Sequence, residues 1–95
     1  MDRISGALSN NKPELERKIK MIWDFRGPGA ERTAEHHRIH LEEYARAKEL
    51  DLGPFGVESF GESHALAFLV AGESKVGELR EALKPHRGQV YTEQT

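Results

Sequence analysis

In the segment KIKMIWDFRG, Ile19, Met21, Trp23 and Phe25 alternate with Lys18, Lys20, Asp24 and Arg26. A period of two with aromatic and β-branched content predicts a strand with one apolar face. Ile22 interrupts the polar side, so that face is not expected to be fully wet. The stretches FGVESF and HALAFLV, separated by a glycine-containing turn at Gly61–Ser63, predict a β-hairpin. Its second strand is apolar on both sides, with Leu66, Phe68 and Val70 on one and Ala65, Ala67 and Leu69 on the other. A strand of that kind belongs in the middle of a sheet. QVYTE predicts a last short strand.

Two segments carry helical periodicity instead. From Ala30 to Leu50 nothing breaks a helix, and Glu, Arg, Ala, Lys and Leu dominate. Gly27 is the expected N-cap, with Pro28 at the first helical position. At about 100° per residue, Ala30, Thr33, Ala34, Leu41, Tyr44 and Lys48 fall within about 60° of His37. The buried stripe is therefore expected to centre on His37, with His40 at its shoulder, His36 near its margin and Ile39 on the opposite side. A shorter helix is expected over Lys75–Lys84, capped by Ser74 and closed by Pro85. Residues 1–17 are polar and contain Asn10, Asn11 and Pro13, which reads as a flexible arm before a domain spanning residues 18–95.

The order strand, helix, strand, strand, helix, strand is the split βαβ pattern of the ferredoxin-like α+β class. Its usual sheet is antiparallel with spatial order 4-1-3-2 and both helices on one face. The first and third strands are then central, in agreement with the doubly apolar third strand. The uncovered face would carry Ile22 and one row of the third strand, and an exposed apolar sheet face marks an interface. A homodimer with sheets packed face to face is the expected solution.

The strand KIKMIWDF, the helix containing HHRIHLEEY, the strand HALAFLVAG and the segment ALKPHRGQVY together resemble the dimeric α+β barrel superfamily. That group includes relatives of antibiotic-biosynthesis monooxygenases and muconolactone isomerase. The resemblance runs from Lys18 to about Glu93 and is one of topology and spacing. It implies a dimeric barrel and carries no catalytic residue across to this chain.

Composition narrows the function classes. The chain has 95 residues, 14 basic and 16 acidic, for a net charge of −2. The charges are intermixed, which argues against nucleic acid or a membrane surface as partner. With no cysteine, disulfides, thiolate metal sites and a cysteine nucleophile are excluded. The longest apolar run, Ala65–Ala71, is too short to span a bilayer. The N-terminus lacks the pattern of a signal peptide, and a cytoplasmic protein is expected.

Three of the five histidines fall within residues 36–40. In the expected topology Asp24, Arg26, His64, His86 and Arg87 meet at one rim, beside the start of the long helix. Convergence of titratable groups next to an apolar cavity is the usual form of a small-molecule site. His37, His64 and Asp24 are the candidates for acid/base chemistry, since imidazole titrates near neutrality and burial tunes it toward a base. Arg26, His40, His86 and Arg87 are the candidates for holding a small polar or anionic ligand. The leading form of this reading is a cofactor-independent enzyme, and the residues leave the identity of any cofactor unknown. Two alternatives stand beside this reading. One is a non-catalytic binding or regulatory dimer with structural histidines. The other is a metal protein using His36 or His37 with His40, completed by His64 or His86 and by Asp24 or Glu35.

Overall fold

The computed structural model describes residues 16–92. The arm expected over residues 1–17 lies outside the described residues except for Glu16 and Arg17. Strand β1 spans Lys18–Arg26, helix α1 Ala30–Ala47, β2 Phe55–Ser59, β3 His64–Gly72, α2 Glu73–Leu83 and β4 Arg87–Tyr91. The strands form one sheet in the order β2-β3-β1-β4, with every neighbouring pair antiparallel. This is the ferredoxin-like α+β architecture.

Register assigns the two faces. Ile22 stands opposite Phe68 and Arg87, and Asp24 opposite Leu66. Ile19, Met21, Trp23 and Phe25 therefore face the helices, and Lys20, Ile22 and Asp24 face away from them. The main core joins Met21 and Trp23 of β1, Leu41 of α1, Leu69 and Ala71 of β3 and Leu79 of α2. A second cluster is built of alanines: Ala30 and Ala34 from α1 against Ala65 and Ala67 from β3. Small side chains there let the first half of α1 lie close over β3 and β2. Trp23 Nε1 donates to the carbonyl of Leu83 at 2.9 Å, tying the end of α2 to β1.

The face without helices differs from the bare apolar surface that the pattern predicts. Ile22, Leu66 and Val70 are buried there. Among them stands Phe68, half-buried, with the Lys20 ammonium 4.4 Å from its ring centroid. Lys20 also pairs with Glu58 at 3.0 Å. Phe68 lies over Gly56, where an added Cβ would stand 2.6 Å from a ring carbon, so β2 needs a residue without a side chain at that point.

Two helix starts differ from expectation. Gly29, not Gly27, is the N-cap of α1, in the left-handed region at φ 82°, and the Pro28 position belongs to the preceding turn. Gly72 rather than Ser74 is the N-cap of α2, because β3 runs directly into the helix and no loop intervenes.

Candidate functional site

The end of β1 collects residues from three strands. Asp24 points from the helix-free face and accepts two hydrogen bonds from Arg87, from Nε at 2.8 Å and from Nη2 at 3.1 Å. Its Oδ1 also lies 3.2 Å from Nε2 of His64. The side chains of Asp24 and His64 are 18% and 25% exposed, so this contact is shielded on most sides. The Arg87 guanidinium, first of all, holds the Asp24 carboxyl down to about 2, against an opposing effect of burial and with help from His64.

A carboxylate ionised at neutral pH can only accept, so Nε2 of His64 carries its proton toward Asp24. Nδ1 of a neutral His64 then holds a free lone pair. Asp24 thus orients the ring and selects its tautomer. Because Arg87 already balances the charge of Asp24, this is mainly an orienting effect. The ring of His64 lies 5.0 Å from that of Phe60, which is exposed.

His86 takes a different role. Its backbone amide donates to the carbonyl of Ile22 at 2.9 Å, and its Nδ1 accepts the backbone N–H of Asp24 at 2.8 Å. The imidazole substitutes for a carbonyl where the β1–β4 ladder ends. With Nδ1 accepting, the proton of the neutral ring resides on Nε2. Arg26 stands opposite His64 in the β1–β3 register and is exposed. Asp24, Arg26, His64, His86 and Arg87 therefore do share one rim, although residues 24 and 87 are 63 apart in sequence.

The helical histidines separate from one another. His37 is half-buried between Trp23 and Phe25, at ring-centroid distances of 5.0 and 5.5 Å. Its Nε2 is buried without a hydrogen-bond partner among the described residues. Burial depresses its pKa, and the nearby imidazoles of His40 and His86 act in the same direction. His37 is thus held neutral on the helix side of the sheet, away from the Asp24 carboxylate on the other face.

His40 does not reach the rim: its side chain is 72% exposed and lies 3.4 Å from Glu43. The reason is the position of the buried stripe. The buried residues of α1 are Ala30, Ala34, Leu41 and Ala45. At about 100° per residue their mean direction is displaced by about 50° from His37, away from His40. His37 consequently lies on the edge of the stripe and His40 outside it. The same displacement leaves Thr33 exposed, whereas Lys48 is exposed because it is the C-cap, beyond the last turn of α1.

His36 is exposed as well. Among the described residues no three His, Asp or Glu side chains converge in a way that could hold a metal ion. Two carboxylates of α1 are engaged locally: Arg38 bonds Glu35 and Glu42 at 2.9 and 2.6 Å.

Neither of two cavities formed by the described residues gathers the histidines expected at the site. One cavity of about 480 Å³ lies at the opposite end of β1, between the Leu50–Gly53 loop and the start of α2. Another of about 340 Å³ lies between α2 and β4 and includes His86. Neither is lined by His37, His40 or His64. What the pattern of residues could not reveal was the backbone-capping role of His86, which depends on the last strand beginning one residue after it.

The fold and rim define a small ferredoxin-like α+β domain with a carboxylate–imidazole–guanidinium cluster at one end of its sheet. No protein-family model, curated protein or solved structure matches the chain. Among the described residues no helix is long and apolar enough to cross a membrane.

Proposed function

We propose that this is a small-molecule-binding domain of the dimeric α+β barrel type whose site is the Asp24–His64–Arg87 rim. His64 serves as the acid/base group there, through Nδ1, while Asp24 orients it. Arg26, exposed opposite His64, provides the positive charge for a small polar or anionic ligand. The observation that carries this reading is the His64–Asp24 contact at 3.2 Å, with Asp24 itself fixed by two bonds from Arg87. An orienting carboxylate behind an imidazole is the arrangement a general base requires. His37 is assigned a structural role, since it packs between two aromatic rings on the other face of the sheet.

The resemblance further implies a homodimer with sheets face to face. Its support is that Ile22, Leu66, Phe68 and Val70 share the face neither helix covers. Ile22, Leu66 and Val70 are already out of water in the single chain. A second copy would therefore rest chiefly on Phe68 and on the charged side chains around it.

The test is nitrogen-resolved NMR of the five histidines, with and without a panel of small carboxylates and phosphates. The expected result is an Nε2-protonated His64 whose Nδ1 resonance shifts on saturation with one class of anion, a shift absent in His64→Gln. A His64 ring that exchanges freely between tautomers and responds to none of the anions would count against the site. Light scattering on the same samples would report a mass twice that of the chain if the dimer forms.

A further inference from the structure

The helix side of the sheet is not completely covered. Helix α2 rests on β1 and β3, and Val90 of β4 is left 54% exposed on that side. Between α2 and β4 runs the groove of about 340 Å³ noted above. That size lies within the range of small-molecule sites. Its floor is apolar, formed by Ile19 and Met21 of β1, and its walls are Val76 of α2 and Pro85.

Gly88 creates the space. It pairs with Met21 and so would direct any side chain to the helix side, into the groove. A Cβ built there meets only the Lys20 carbonyl oxygen at 3.6 Å and Ile19 Cγ2 at 3.7 Å, ordinary contacts. The fold therefore tolerates a side chain at this position, and the groove exists because there is none.

The polar lining has a single sign. Arg80, His86 and Arg87 line the groove, and no acidic residue does. Arg87 is committed to Asp24. Arg80 pairs with no carboxylate among the described residues. His86 accepts the Asp24 amide through Nδ1, which leaves Nε2–H as its donor. An apolar floor flanked by a cation and a neutral N–H donor complements a molecule with a hydrophobic body and one negative end.

We propose that the groove between α2 and β4 binds a small hydrophobic carboxylic acid. Its apolar part lies on Ile19, Met21 and Val76, and its carboxylate is held by Arg80 and His86 Nε2–H. This site is independent of the Asp24–His64 pair, which lies on the opposite face of the sheet.

The test is titration of the uniformly ¹⁵N-labelled full chain with phenylacetate, followed by amide shifts. Saturable shifts are expected at Met21, Arg80 and Gly88. Phenylacetamide, the same shape without charge, should bind about tenfold more weakly or less, as loss of a charge-assisted bond requires. Arg80→Gln should weaken phenylacetate by a similar factor. Gly88→Leu, filling the groove, should abolish binding, while His64→Ala should leave it unchanged. Arg80 is exposed on a helix, so Arg80→Gln keeps the experiment decisive should Gly88→Leu fail to fold. The proposal is overturned if phenylacetate shows no saturation, if the amide binds as tightly as the acid, or if a folded Gly88→Leu binds undiminished. Loss of binding with His64→Ala would also overturn it and assign the acid to the rim instead.

Discussion

The Nδ1 atom of His86 accepts the backbone N–H of Asp24 at 2.8 Å, so that a side chain completes the hydrogen-bond ladder between two strands. The same Asp24 then uses its carboxylate to gather Arg87 and His64 on the helix-free face. One residue of β1 thus joins both faces of the rim, its backbone held from one side and its side chain engaged on the other.

Replacing His86 by Ala should leave the Asp24 amide without its acceptor. A cost of about 1 kcal/mol is expected in urea unfolding. Amide exchange at Asp24 should be faster in His86→Ala than in the wild type, with exchange at Ile22 changed less, and a uniform response of the two amides would contradict this.

Asp24→Asn should destabilise the chain by about 1–2 kcal/mol, a figure kept low because the side chain of Arg87 is half exposed. The dependence on pH follows from the depressed carboxyl. The folded state holds Asp24 ionised down to about 2, against 3.8 ordinarily. Its contribution is full above the ordinary value and is lost as pH falls toward 2. Thermal melts of the wild type and Asp24→Asn should accordingly converge across that interval.

His37 predicts a second acid-sensitive step at higher pH. Its folded-state pKa lies below the ordinary 6.5, so the unfolded chain binds the proton more readily. Stability should be intact above 6.5 and decline as pH falls below it. His37→Phe removes both the proton site and the unpartnered buried nitrogen. This variant should be at least as stable as the wild type at pH 7, by up to about 1 kcal/mol, and lack the decline. A decline that persists in the variant would assign it to another group.

Gly56→Val tests the packing of the helix-free face. A Cβ at this position meets the Phe68 ring at 2.6 Å, and Phe68 in turn lies under Lys20. A loss of about 1–3 kcal/mol is expected from overpacking. In a Phe68→Ala background the same substitution should cost much less, which a double-mutant cycle would read directly.

Much of the architecture was legible in residue order because the relevant signals are local. Alternation in KIKMIWDF, the doubly apolar HALAFLV and the unbroken helical stretch after Ala30 each specify one element. Their order leaves few topologies, and that topology alone brings Asp24, His64 and Arg87 to one rim. Tertiary packing decided the rest. A helical pattern gives a stripe about 100° wide but not its centre. The close contact of Ala30 and Ala34 with Ala65 and Ala67 rotates α1 so that His37 reaches Trp23 and His40 faces water. Burial of Ile22, Leu66 and Val70, the tautomers of His64 and His86, and the groove opened by Gly88 all depend on neighbours distant along the chain. Local periodicity records which residues prefer to leave water, whereas only the assembled layers determine what each of them meets.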